Sequence, residues 1–123
     1  MTIAYWCILV AALLPYAWAA AAKSAPGYDN AAPRAFLETV RGWRQRAAWA
    51  QLNAFEAFPP FAAAVIIAHL LSAPQAWIDL LALGFIGLRL MHGIAYIGNW
   101  PALRSLAWAG GIACVITLFV VAA

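Results

Sequence analysis

Four apolar runs divide the sequence, and each is close to the roughly 20 residues an α-helix needs to cross the hydrocarbon core of a bilayer. They run from about Ile3 to Ala22, Ala47 to Leu71, Trp77 to Ile97 and Leu103 to Ala123, with the second helix extending back to about residue 44. Composition points the same way. The 123 residues are 67% hydrophobic and 9% charged, whereas a soluble domain averages about 45–50% apolar and about 25% charged residues. A chain of this size then has too little polar surface to keep it in water, so lipid is its solvent. Ala and Leu richness favours helix, and the strands of an outer-membrane barrel would instead alternate apolar with polar over segments of about 10 residues. The expected fold is all-α: one integral membrane four-helix bundle domain over residues 1–123.

The first run requires a test against a cleaved leader, because Ala17-Trp18-Ala19 has the small-x-small form of a cleavage site. No Lys or Arg precedes the run, and it is long enough to span, so it reads as a first transmembrane helix ended by Lys23 and the breakers Ser24 to Gly27. Residues 23 to 46 then hold Lys23, Arg34, Arg41, Arg44 and Arg46 against Asp29 and Glu38. By the positive-inside rule the loop of about residues 23–43 is cytoplasmic. Both termini accordingly lie on the non-cytoplasmic side, and the short later connections make neighbouring helices antiparallel. Compact loops fit a bacterial inner membrane. The net charge of +3 is concentrated in this loop, so it reports orientation, and no basic groove for nucleic acid is visible. Cys7 and Cys114 lie in apolar runs without metal-ligand spacing and read as small hydrophobes, with no metal site.

Ionisable groups inside spans are costly, so Glu56, His69, Arg89 and His92 each need an account. Counting about 20 residues back from Leu71 puts Asn53 and Glu56 in the cytoplasmic half of the second span. Counting forward from Trp77 brings His92 and Tyr96 to the same depth, and Arg104 and Ser105 open the fourth span there. At about 100° per residue, Arg46, Asn53 and Glu56 share one face and Arg89, His92 and Tyr96 another. Arg104 sits in a helix first turn, where the macrodipole is already positive; that placement suits an anion. The bland reading pairs Glu56 with Arg89 between helices and leaves the aromatics to interfacial belts. Polar residues from three helices at one depth favour a ligand site instead. His69 lies near the other end and reads as a packing hydrogen bond, Asp79 as a helix-start residue, Trp43, Trp49, Trp77, Trp100 and Trp108 as belt residues, and Pro59-Pro60 as a kink.

The run from Arg46 through Asn53 to Glu56, with Pro60 after it, resembles the RxxxAxxNxxE signature of the MAPEG family, the membrane-associated proteins in eicosanoid and glutathione metabolism. Arg89-x-x-His92-x-x-x-Tyr96, followed by Arg104-Ser105, resembles the third-helix motif and the Arg-Ser pair of the same family, which includes microsomal glutathione transferases and prostaglandin E synthase. The resemblance implies a homotrimer with glutathione, as co-substrate, bound between subunits near the cytoplasmic face. It implies that Arg46, Asn53, Glu56, Arg89, His92 and Tyr96 line that site, with Glu56 on the amino group of glutathione. It also implies that Arg104 stabilises the thiolate beside Ser105, while a hydrophobic electrophile arrives from the bilayer. The implied activity is that of a glutathione-dependent transferase or peroxidase.

The chain departs from the pattern at Trp49, where several active relatives carry Arg, and at Gln45, where the signature often begins with Glu. One clamp on a glutathione carboxylate is thereby missing, and Arg41 or Arg44 could supply it from the helix extension. Two other readings stay open: a non-catalytic lipid- or glutathione-binding protein of the same fold, and a small four-helix multidrug transporter. The second relies on a lone intramembrane carboxylate, which Glu56, matched by Arg, His and Asn, does not resemble. A pure assembly factor, with the polar stripes as interhelical glue, is a further possibility.

Overall fold

A computed structural model describes all 123 residues. It contains five helices: α1 (Ile3–Lys23), α2 (Pro33–Thr39), α3 (Trp43–Leu70), α4 (Gln75–Ile97) and α5 (Pro101–Ala122). All except α2 are long and apolar enough to cross a membrane. The 28 residues of α3 rise about 42 Å, beyond the roughly 30 Å of a hydrocarbon core, so its basic first turn stands outside. The centre of the bundle is the α3–α4 pair. Each of these two packs against both α1 and α5, and the outer helices do not touch one another.

Packing, rather than hydrophobicity, has to hold such a bundle, because lipid tails are as apolar as the side chains they would replace. The interfaces accordingly use small residues: Ala4, Cys7 and Ala11 of α1 share a core cluster with Ala64, Val65 and Ala68 of α3. Phe61 and Phe85 fill the α3–α4 contact as a parallel stack with centroids 3.9 Å apart. Pro59 and Pro60, read from the sequence as a kink, lie inside α3, which continues through both as one helix with the two rings exposed.

Polar groups fix the ends of the helices. At the start of α1, the Thr2 hydroxyl accepts from the Tyr5 amide at 3.3 Å and lies 3.1 Å from His69 Nε2. His69 Nδ1 reaches the Val65 carbonyl at 2.8 Å and the ring stacks on Tyr5, the packing role the sequence suggested. Asp79 does more than start its own helix: its Oδ1 accepts from the Ala4 amide at 2.9 Å, satisfying an orphan donor of α1 from across the bundle. It also accepts from Gln75 at 2.9 Å. The loop expected between the first two spans contains α2, started by Pro33 and closed by Arg41, whose Nη1 donates to the Glu38 and Val40 carbonyls. Phe36, Leu37 and Val40 pack this segment against Ala22, Ala47 and Ala48. Gly42 then turns the chain into α3 with a φ of 65°, a left-handed conformation that a side chain would strain.

Candidate functional site

Helical spacing places Asn53 and Glu56 on one side of α3 and Arg89, His92 and Tyr96 along α4, and the structure brings the two stripes together. Arg89 is only 3% exposed, so its charge requires a partner inside the bundle. That partner is Asn53: Arg89 Nη2 donates to Asn53 Oδ1 at 2.6 Å, and Asn53 Nδ2 faces Glu56 Oε2 at 3.5 Å. Glu56 and Arg89 are therefore linked through the Asn53 amide instead of neutralising each other directly. Glu56 remains exposed on the outer surface of the bundle.

One turn and two turns beyond Arg89, His92 and Tyr96 continue the stripe. His92 is 2% exposed, and its Nδ1 is buried without a hydrogen-bond partner. Its ring meets the Tyr96 ring edge to face at 5.6 Å. Tyr96 in turn sits between Arg104, whose guanidinium lies 4.7 Å from the ring centroid, and Trp49, at 6.4 Å. The Arg104–Tyr96 contact is a cation–π pair that aims the first turn of α5 at the end of α4. Ser105 is exposed beside it.

Arg46 departs from its expected place with Asn53 and Glu56. Its Nε donates to the Ile97 carbonyl at 3.0 Å, so it caps the end of α4, where carbonyls lack helical partners. Arg41 and Arg44, the two residues considered for a missing carboxylate clamp, are also engaged. Arg41 closes α2, and Arg44 donates to Ser24 Oγ at 3.2 Å while lying over Trp43.

Three concavities surround this cluster. An open cleft of about 420 Å³ is lined by Trp49, Leu52, Asn53, Glu56 and Tyr96. A second of about 250 Å³ lies between α3, α4 and α5, with Asn53, Glu56 and Arg89 at its polar end and Pro60, Trp108 and Ile112 among its apolar walls. A groove of about 620 Å³ runs between α2 and α3, with Arg34, Glu38 and Gln45 on its rim and Trp49, Leu52 and Phe55 on its floor. Trp49 and Trp108 thus line clefts, not only a belt. Trp49 could have been read from the sequence, since it lies four and seven residues before Asn53 and Glu56, on the same helical face. No sequence pattern pointed to Trp18, whose indole occupies the space a Cβ at Gly93 would need. Gly93 therefore lets α1 approach α4 directly beside His92.

This arrangement offers a carboxylate, an amide and a phenol around one open cleft, with a guanidinium at a helix N-terminus close by. Such a set can hold a small molecule carrying both an amine and an acidic group. No curated protein and no solved structure matches the chain. The family model described as "MAPEG family" matches residues 3–123, and its span takes in all four membrane helices and every residue of the cluster, so the chain belongs to the MAPEG family.

Proposed function

We propose that this membrane protein is a glutathione-dependent transferase or peroxidase acting on hydrophobic electrophiles. The observation that carries the reading is the placement of Asn53, Glu56 and Tyr96 on one cleft, with Arg104 stacked on Tyr96 at its edge. In this reading Glu56 accepts from the ammonium group of glutathione, Asn53 is held by Arg89 to fix that carboxylate, and Tyr96 lines the cleft with the buried His92 packed against its ring. Arg46 acts as a positioning residue through the end of α4.

Arg104 faces the thiol. A cation at a helix N-terminus favours the thiolate, which is the nucleophile. The thiol proton leaves to water; the sulfur then forms a C–S bond with the electrophilic carbon while the bond to a leaving halide breaks with its electron pair. With a lipid hydroperoxide, the sulfur attacks the terminal oxygen and the O–O bond breaks to give the alcohol. The resulting sulfenic acid is converted to disulfide and water by a second glutathione. The exposed Ser105 is a candidate to donate a hydrogen bond to the thiolate. The apolar cleft at Trp108 and Ile112 adjoins Asn53 and Glu56 and provides a route from the bilayer for the second substrate.

The exposure of Glu56 supports assembly. A carboxylate on the outside of a span is expensive in lipid, and a neighbouring copy would cover it, so we place the site between the subunits of a homotrimer. The basic α1–α3 connection supports a cytoplasmic location for that end and non-cytoplasmic termini. A bacterial inner membrane is the compartment we assign.

Calorimetry of glutathione binding to the detergent-solubilised protein, with Glu56→Gln as control, tests the site. Binding lost in the variant is expected; absence of binding to a well-folded wild-type assembly refutes the reading. In a conjugation assay with an aryl halide, Arg104→Ala is expected to lose rate and to shift its pH–rate profile to higher pH while keeping most glutathione binding. An unchanged profile removes Arg104 from thiol activation.

A further inference from the structure

Five basic residues run from Lys23 to Arg46, and the fold uses four of them internally. Lys23 stands over the Tyr28 ring, Arg41 closes α2, Arg44 is held by Ser24 and Trp43, and Arg46 caps α4. The fifth, Arg34, is exposed on α2, as is Glu38 one helical turn along. Both stand on the rim of the groove of about 620 Å³ between α2 and α3.

The level of this groove in a bilayer follows from α3. Counting the roughly 20 residues of a hydrocarbon crossing back from Leu70 puts the boundary near Gln51. At about 1.5 Å per residue, Gln45 on the rim stands about 9 Å outside that boundary and Trp49 about 3 Å outside, whereas Leu52 and Phe55 on the floor lie within the hydrocarbon. The groove therefore crosses from headgroups to acyl chains, charged at its outer end and apolar at its inner end. A water-soluble ligand matches only the outer end; a lipid standing upright in the leaflet matches both. Opposite charges one turn apart, with about 5–6 Å between Cβ atoms, suit a headgroup that carries a phosphate and an ammonium two carbons apart. Arg34 and Glu38 compete little with such a ligand by pairing with each other, because a cation N-terminal to its acid is the weaker order on a helix.

We propose that this groove binds one phospholipid with a primary-amine headgroup, its phosphate on Arg34, its ammonium on Glu38 and an acyl chain along Trp49, Leu52 and Phe55. The site does not depend on the glutathione reading, although the acyl chain borders the cleft at Asn53 and Glu56 through the shared wall of Trp49 and Leu52. Glu38 sets the selectivity. A quaternary headgroup has no N–H to donate to it, and a headgroup without a cation leaves its carboxylate facing the phosphate.

The test is native mass spectrometry of the full chain, purified free of lipid in detergent. It is given equal amounts of phosphatidylethanolamine, phosphatidylcholine, phosphatidylglycerol or diacylglycerol with the same acyl chains. Wild type is expected to retain one phosphatidylethanolamine per chain, roughly fivefold more strongly than the others, as for an exposed ion pair at its upper limit. Glu38→Gln is expected to lose the advantage over phosphatidylcholine and to tighten phosphatidylglycerol. Arg34→Ala is expected to weaken all three phospholipids and leave diacylglycerol unchanged, whereas Phe55→Gln weakens all four. Arg34 and Glu38 are exposed, and unchanged thermal unfolding of their variants in lipid-free detergent excludes a folding effect. Equal retention of all four lipids by wild type describes an unselective annulus and overturns the proposal. A wild-type preference for phosphatidylglycerol overturns it in favour of a simple anion site, as does a phosphatidylethanolamine advantage that survives both Glu38→Gln and Arg34→Ala. Retention of no lipid overturns it as well, and a loss of assembly in Phe55→Gln then assigns the groove to a second copy of the chain.

Discussion

Replacing Asn53 by alanine should destabilise the bundle by about 2–3 kcal/mol, and the reason is the guanidinium it leaves behind. Arg89 is 3% exposed, and its Nη2 bond to Asn53 Oδ1 is 2.6 Å long. A hydrogen bond to a charged group contributes about 1.5–3 kcal/mol. Interhelical bonds in membranes average only about 0.6 and reach about 1.7 kcal/mol, because the separated helices find other partners. The membrane average underestimates this case, since a buried cation stripped of its partner costs about 3–5 kcal/mol. Partial rescue by Glu56, which stands beyond Asn53, brings the expected loss below that figure. Asn53→Asp supplies the control: it keeps an acceptor for Arg89 and stays within about 1 kcal/mol of wild type, although it sets a second carboxylate beside Glu56. The assay is equilibrium unfolding in mixed micelles, followed by far-ultraviolet circular dichroism at matched protein concentration. Asn53→Ala within about 0.5 kcal/mol of wild type would refute the reasoning, because that is the ordinary effect of a surface change. So would an Asn53→Asp as damaging as Asn53→Ala.

Three further substitutions probe the remaining polar and packing contacts. Gly93→Ala drives a methyl into the Trp18 ring and should cost about 1–3 kcal/mol by overpacking; a smaller side chain at position 18, in Trp18→Leu/Gly93→Ala, should recover part of this in the same unfolding assay. Asp79→Ala removes the acceptor of the Ala4 amide and should cost about 0.5–2 kcal/mol, as for other helix N-terminal caps, with hydrogen exchange rising first at the start of α1. Arg46→Met keeps the stem but loses the bond to the Ile97 carbonyl; exchange should increase in the last turn of α4, and glutathione affinity should fall less than in Glu56→Gln.

The spans were legible because a bilayer imposes a length on every crossing helix, so apolar runs of the right size and the breakers between them fix the architecture within a few residues. That Asn53, Glu56, Arg89, His92 and Tyr96 share one level of the bundle was legible for the same reason: position along a span converts to a level, and 3.6-residue periodicity converts to a face. The partner of each group was not legible. Sequence spacing predicts that Glu56 and Arg89 lie near each other, but only the relative rotation of α3 and α4 decides that an amide stands between them. The same limit applies to Arg46, whose target is a carbonyl and leaves no mark in side-chain chemistry.

The region before α3 shows how far that limit reaches. A seven-residue helix is too short to form on its own propensity and makes only about two turns, too few to mark an apolar stripe, so residues 33–39 read as loop. What stabilises α2 is tertiary: Leu37 and Val40 pack on Ala47 and Ala48, and Arg41 closes its end. Yet this element carries Arg34, which lies exposed on it. Positive-inside counting treats the five basic residues as equivalent because it depends on charge alone; the fold separates them by assigning four to carbonyls, a hydroxyl and aromatic rings.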